Sequence, residues 1–303
     1  MKYELIIVRY GELGLKAKAT RKRFEDALIN NIKNALKTKQ ISHNIKKELG
    51  RIYVYTKDID KSINVLTKIF GITSISPAVK TDIDIKSISR FAIKISKEKI
   101  TEENSFALRV ERTGNHPYSS QDVAVEVGND IVKKIKSNVN LTNPDFELFI
   151  EIRNKNTYFF IEKIPCNGGL PLRTQGNILM LIDSLDSILA AWYIMRRGCK
   201  PIFLITKSAV SNVLSDFIEQ WYADQDMVMV DSKKKLYKNI NKIISERKCD
   251  AIVTDHNLHK NPKNVIYDIK RLNENIIVPI LHPLIIMQEK EIEKKSKEIG
   301  IQK

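Results

Sequence analysis

Apolar and polar positions recur with two different periods along this chain, and the switches between them mark its elements. Leu5–Val8 is a short apolar run that predicts a strand, and Arg21–Lys37 sets Phe24, Ala27, Leu28, Ile32 and Ala35 near helical spacing, with a basic outer face. Ile41–Glu48 and Arg51–Tyr55 flank Leu49-Gly50 as the arms of a hairpin, Ile63–Phe70 has a helical period, and Ile72–Val79 alternates again. The resulting βαββαβ order predicts a ferredoxin-like unit over residues 1–77.

A second small α/β module follows over residues 78–166. It contains a helix near Ile85–Ser96, a strand at Phe106–Glu111, a helix near Gln121–Ile135, and strands at Glu147–Arg153 and Tyr158–Glu162. Residues Pro165–Gly176 are rich in helix breakers and predict a linker. Beyond it, over residues 177–303, apolar strands at Ile178–Ile182, Pro201–Thr206, Met227–Val230, Ala251–Thr254 and Ile276–Leu281 alternate with helices at Asp186–Arg197, Leu214–Tyr222, Leu236–Glu246 and Glu289–Ile299. Continuous apolar strands alternating with helices predict a doubly wound parallel sheet covered on both faces.

Composition sharpens the picture mainly through charge. The formal net charge is +15, and +9 of it falls within residues 1–77. A basic excess concentrated in one module points to an extended polyanion, with an acidic membrane surface or a mere lysine bias as the alternatives. Cys166, Cys199 and Cys249 are odd in number and widely spaced, so they suggest neither a disulfide framework nor a zinc site. No apolar run approaches the roughly 20 residues of a membrane span and no signal peptide is evident, so a cytoplasmic protein without membrane contact is expected.

Two constellations in the front half suit an anion. In the first, Arg9-Tyr10-Gly11-Glu12 runs through a glycine turn to Lys16, Lys18, Arg21, Lys22 and Arg23 at the start of a helix. Cations there oppose the helix dipole, so an external phosphate explains them better than local stability does, with a solvated face as the alternative. In the second, Arg109, Arg112, Thr113, Asn115, His116, Tyr118 and Ser119 lie in one polar turn that enters a helix N-terminus. Backbone amides there suit a phosphate and the rings suit a stacked base, although Ser120 as a plain N-cap and His116 as an ordinary turn residue fit as well.

The run Phe106–Pro117, with Asn143-Pro144-Asp145 and Glu151-Ile152-Arg153, resembles the THUMP domain of the tRNA 4-thiouridine synthases, the ThiI family of tRNA sulfurtransferases. Arg9-Tyr10-Gly11-Glu12 with Lys16 and Arg21 is similar to the family's opening ferredoxin-like domain, and Gly168–Pro171 with Thr174-Gln175-Gly176 to its linker. The resemblance implies an α/β fold of ferredoxin-like, THUMP and PP-loop domains. It also implies that the first two hold the acceptor end of tRNA, and that the third activates a uridine with ATP before sulfur is inserted.

The third domain departs from that pattern. Met180, Leu181, Ile182, Asp183, Ser184, Asp186 and Ser187 stand on the family's nucleotide loop, but its S-G-G-x-D-S signature reads Ile182-Asp183-Ser184-Leu185-Asp186-Ser187 here. Glycines let backbone amides approach a phosphate, whereas Asp183 adds a like charge. At an effective dielectric of about 20, two such charges about 4 Å apart repel by about 4 kcal/mol, roughly a thousandfold in affinity. Asp186 is expected to cap the following helix.

Thr254–Lys260 reads T-D-H-N-L-H-K where the family has T-G-E-S-L-G-Q, and the sulfur-carrying cysteine expected before the Lys234–Tyr237 stretch is absent. His256 and His259 with Asp255 offer at most a weak metal motif, and no metal site is assigned. The sequence therefore predicts a tRNA-binding family member with a vestigial nucleotide site and no catalytic residues of its own. It needs no cofactor, ATP and Mg²⁺ entering only if the loop still works, and it is served by a separate catalytic or sulfur-donor protein. The alternative is an active sulfurtransferase with an external donor, and a homodimer stays open.

Overall fold

The computed structural model describes residues 2–11, 17–48, 50–230, 236–259 and 261–301. The chain forms two compact units. One comprises Met1–Arg9, Leu36–Thr67 and Ser74–Cys166; the other comprises Tyr10–Ala35, Lys68–Thr73 and Asn167–Lys303.

The first unit is built on a mixed nine-stranded sheet. In chain order, strands β1 (Leu5–Tyr10), β2 (Asn44–Glu48), β3 (Arg51–Tyr55) and β4 (Ile72–Thr81) with helices α1 (Lys18–Thr38), most of which belongs to the second unit, and α2 (Ile59–Leu66) give the ferredoxin-like order. Helix α2 starts and ends four residues before the predicted span, and Ile69 and Phe70 are buried in the turn after it. The sheet continues through β5 (Ser105–Arg112), β6 (Asn138–Val139), β7 (Phe146–Ile152), β8 (Thr157–Phe160) and β9 (Ile164–Pro165), in the order β2-β3-β1-β4-β8-β7-β5-β6 with β9 on β4. The expected limit between residues 77 and 78 thus falls inside β4.

Helices α3 (Ile85–Lys97) and α4 (Ser120–Ile135) cover one face of this sheet. Ile88, Ala92, Ile95, Val123, Val127 and Ile131 recur at helical spacing and pack on Phe106, Leu148, Ile150 and Phe159. A second cluster joins Leu5, Ile7, Tyr53, Ala78, Tyr158 and Phe160, with Tyr53 stacked on Tyr158 at 4.6 Å between ring centroids.

In the second unit β10 (Asn177–Ile182), β11 (Lys200–Ile205), β12 (Met227–Met229), β13 (Ala251–Val253) and β14 (Ile280–Leu281) form a wholly parallel sheet in the order β12-β11-β10-β13-β14. Alternation along the strands sends Met180, Ile182, Phe203 and Ile205 into one core with Trp192 and Trp221. Leu179, Ile202, Leu204 and Ile252 face the other. Helices α5 (Leu185–Arg196), α6 (Ser211–Gln220), α7 (Leu236–Arg247), α8 (Pro262–Asn275) and α9 (Glu289–Glu298) complete the alternation. Helix α8 has no counterpart among the predicted elements.

The stretch 167–176 lacks a helix, as its breakers require, but it is no loose linker. Leu170, Leu172 and Thr174 are buried, and the Thr174 and Gln175 amides both donate to the Gly198 carbonyl at 3.0 Å. Gly198 lies at φ +89, where a Cβ would meet Thr174 Oγ1 at 2.6 Å, so the turn ending α5 admits only glycine.

Candidate functional site

At the carboxyl end of β10 the strand turns into α5 through Asp183 and Ser184. Met180 and Ile182 are buried in the core, Leu181 is partly buried, and Asp183 and Ser184 are half-exposed at the turn. Ser184, in extended backbone, is the N-cap: its hydroxyl accepts from the Ser187 amide at 3.1 Å. The expected cap, Asp186, lies instead within the first turn, because the Ser184/Ser187 pair supplies a capping box whose N-cap stands two residues earlier.

The same Ser187 hydroxyl accepts from the amides of both Asp183 and Ser184 at 3.2 Å and donates to the Ser184 carbonyl at 2.6 Å. The backbone N–H groups that a phosphate cradle would turn outward are therefore satisfied within the loop. Ser184 Oγ in turn donates to Asp255 Oδ2 at 2.5 Å. Burial raises the Asp183 carboxyl above its ordinary pKa, and nearby Asp255 raises it further against the opposing pull of Lys207 and His256.

Behind the loop, the buried Thr254 hydroxyl sits 2.7 Å from both His256 Nδ1 and His282 Nδ1. One hydroxyl hydrogen can serve only one ring, so the other ring carries its proton on Nδ1. Asn257, also buried, donates to the carbonyls of Leu284 and Met287 at 2.7 Å and fixes the segment in place. His256 meets His282 edge-on at 5.2 Å between ring centroids, while His259 is exposed, and among the described residues no group of His, Cys, Asp or Glu is arranged to hold a metal. In the sequence His282 opens the run His282–Met287, which with Glu289–Gly300 resembles the family's closing segment, but nothing local to it points to Thr254 or His256.

Burial, with His256 beside it, pushes His282 down to about 4. Between its ordinary 6.5 and that value the unfolded chain binds a proton that the folded chain refuses, so stability falls as pH drops through this window. Replacing His282 by asparagine should flatten the pH dependence of thermal melting between about pH 6.5 and 4. An unchanged profile would dismiss His282 as its source.

In the first unit, the predicted turn is ordered by its own contacts. Arg109 pairs with Glu147 at 2.6 Å and donates to the Leu141 carbonyl at 2.9 Å, while Arg112 donates to the Gly114 carbonyl at 3.0 Å. His116 stacks on Tyr118 at 5.5 Å, and the Tyr118 hydroxyl donates to the Ile83 carbonyl. Ser119 is the N-cap of α4, in a capping box with Asp122 that engages the Ser119 and Asp122 amides. Thr113 and Asn115 remain exposed.

Arg9 stands apart from the other front cations. Its side chain is 11% exposed, donates to Ser76 at 2.9 Å, approaches Glu151 at 3.4 Å and lies over the Phe160 ring, which leaves little of it to an outside anion. Arg51 and Arg153 converge on the same Glu151 carboxylate. Lys18, Lys22 and Arg23 are exposed at the start of α1, whose first turn holds no acidic residue, and Arg21 is partly buried there. Lys16 lies outside the described residues.

Family models for the ThiI ferredoxin-like domain, the THUMP domain and the "Thiamine biosynthesis protein (ThiI)" match residues 5–76, 83–162 and 206–303. A "Probable tRNA sulfurtransferase" of Methanocaldococcus jannaschii is 34% identical over 97% of this chain and 87% of its own length. The chain belongs to the tRNA sulfurtransferase (ThiI) family.

A second ThiI-family relative, from Methanobrevibacter smithii, is 32% identical over 99% of this chain and 87% of its own. That alignment runs to 340 positions against 303 residues, so at least 37 of the relative's residues have no counterpart here. Among solved structures, a Pyrococcus horikoshii protein matches with TM-score 0.85 at 30% identity, over 98% of this chain and 99% of that one. A 4-thiouridine synthetase in complex with RNA and bound ATP matches with TM-score 0.80 at 25% identity, over 99% of this chain and 85% of that one. The third ThiI-family match begins only at residue 206, past the loop at 182–187.

Proposed function

We propose that this chain binds tRNA through its ferredoxin-like and THUMP modules, and that its third domain has given up ATP-dependent chemistry to serve as a structural or docking module for a separate catalytic or sulfur-donor protein. The observation that carries the proposal is the self-satisfied loop: the Asp183 and Ser184 amides end on Ser187, and Ser184 is tied to Asp255. A phosphate there would have to displace these bonds beside two carboxylates. Retention of THUMP and ferredoxin-like modules, and likeness to a synthetase solved with RNA, support the tRNA half. The second reading, an active sulfurtransferase with an external sulfur donor, draws on the 34% identity to a relative named for that activity.

Binding to tRNA should weaken steeply with salt, since each phosphate neutralised by Lys18, Lys22, Arg23 and their neighbours steepens the log–log slope by roughly 0.7–0.9. Filter binding between about 50 and 200 mM salt measures it, and a flat response would reject a polyanion partner. Arg112→Ala should loosen the turn at Gly114 and lower tRNA affinity by about tenfold without unfolding the chain. Unchanged affinity would remove that turn from the interface.

A further inference from the structure

Among the described residues, β14 is the last strand of the parallel sheet and pairs with β13 alone. The Ile252 and Thr254 amides donate to the Pro279 and Leu281 carbonyls at 3.0 and 3.1 Å. Pro279 and Leu281 therefore turn to β13, and the N–H and C=O of Ile280 between them point to the open side. Helix α8 packs on the same part of the sheet, with Leu272 buried beside Ile252 and Ile276. Helix α7 covers one flank of α8: the Asn241 side-chain amide donates to the Asn275 carbonyl at 2.7 Å, and Arg271 lies over the Tyr237 ring.

On the opposite flank of α8, steps of three and four residues bring Lys263, Ile266 and Lys270 into one stripe. All three are exposed, Ile266 by 60%. Among the described residues neither lysine is held in an ion pair, although Glu274 stands one turn beyond Lys270. Ile277 just before β14, Leu281 within it and Ile286 in the turn after it are exposed as well. Apolar side chains gathered at one margin mark a contact surface rather than chance exposure.

The chemistry of this margin selects its occupant. RNA would answer the lysines but gains little from aliphatic side chains, on which bases do not stack. An acidic membrane would take the lysines and isoleucines, yet hydrocarbon offers no partner to the Ile280 N–H and C=O. A second copy about a two-fold axis would set the stripe against itself, lysine against lysine. An extended segment with apolar and acidic residues answers every group. Its backbone completes the sheet edge, while its side chains alternate between the α8 face, where Ile280 packs, and the opposite face, where Leu281 lies.

We propose that the free flank of α8 and the open edge of β14 form a strand-addition site for an acidic segment of a partner protein. The proposal rests on the docking role given above to the third domain and assigns that role to named residues.

The test uses the full chain and a short fluorescein-labelled peptide of alternating valine and glutamate, with a valine–lysine peptide as control, read by fluorescence anisotropy. The glutamate peptide should bind with a Kd on the order of 10 µM, and the lysine peptide at least about tenfold more weakly. Ile266→Ser should weaken the glutamate peptide about tenfold, and Lys263→Glu with Lys270→Glu should reverse the preference between the peptides. Both changes are at exposed positions, so thermal melting and tRNA affinity should stay as they were. Equal binding of the two peptides, or binding of neither, overturns the site. So does a loss of tRNA affinity in the double variant, binding to phosphatidylserine vesicles that the double variant abolishes, or a dimer in sedimentation that Ile266→Ser dissociates, since each gives the flank to another occupant. Titration with ATP separates this site from the wider reading: micromolar ATP binding with peptide binding intact sinks the loss of ATP chemistry alone, and absence of both sinks the docking site alone.

Discussion

Replacing Glu151 by alanine should lower the stability of the first unit by about 3–5 kcal/mol, because it strands buried guanidinium groups around an empty centre. The Glu151 side chain is 2% exposed and receives Arg9, Arg51 and Arg153, from the first strand, the hairpin and the end of β7. Burial alone would raise its pKa, but Arg51, Arg153 and Arg9 outweigh that and hold the carboxyl below its ordinary 4.5. The sign follows from the lowered value: this contribution is complete above pH 4.5 and disappears as pH falls through the folded pKa. The variant should therefore lose stability near neutral pH and show a flatter acid profile. Hydrogen exchange of the β7 amides is the suitable measurement, since a chain with two compact units need not unfold in one step. A loss below about 1 kcal/mol would mean that Glu111, 3.6 Å from Arg51, takes over the charge.

Titration of the chain with ATP and Mg²⁺ should give no measurable binding, with a dissociation constant weaker than about 1 mM, or about −4 kcal/mol. The Asp183 and Ser184 amides are already bonded to Ser187 Oγ, and Asp255 lies near enough to Asp183 to raise its carboxyl beyond the effect of burial. Combining Ile182→Ser, Asp183→Gly and Ser184→Gly removes the bulk and one charge, and frees the Asp255 carboxylate from its serine donor. Sulfur transfer should still not return, because the Thr254–His259 segment remains occupied by its own histidine and asparagine contacts. Calorimetry decides the matter. A micromolar constant for the unsubstituted chain, about −8 kcal/mol, would establish a working nucleotide site and favour the active sulfurtransferase.

The elements that the sequence predicts well are those whose packing is local and periodic. The β5–α4–β7 run and the alternation of β10 and β11 are legible because every second or every third to fourth residue enters a core. Helix α8 could have been found: Asn261 caps it, Pro262 starts it, and Val265, Ile269, Leu272 and Ile276 follow one face. Exposed Ile266 and Tyr267 blur that period, and only Leu272 of the helix is buried. The departure from the family's loop signature is visible in three residue identities, but the bonding of the Asp183 and Ser184 amides to Ser187 Oγ is not, since it depends on how the turn folds back on the first turn of α5. The pairing of Arg9 with Glu151 spans 142 positions, a separation that no local pattern reveals.

Strand β4 has a consequence for how the chain is made. Its early residues Ser74 and Ile75 pair with β9, and its late residues Val79–Thr81 pair with β8. Translation delivers β1 to β4 long before either partner exists, so the front module emerges with a bare strand edge that cannot close until residues 157–165 have left the ribosome. Bare edges recruit other strands, and partly made chains are where that hazard is greatest. The first half of this protein must therefore wait, incomplete, for about eighty further residues, some four to sixteen seconds at ordinary elongation rates.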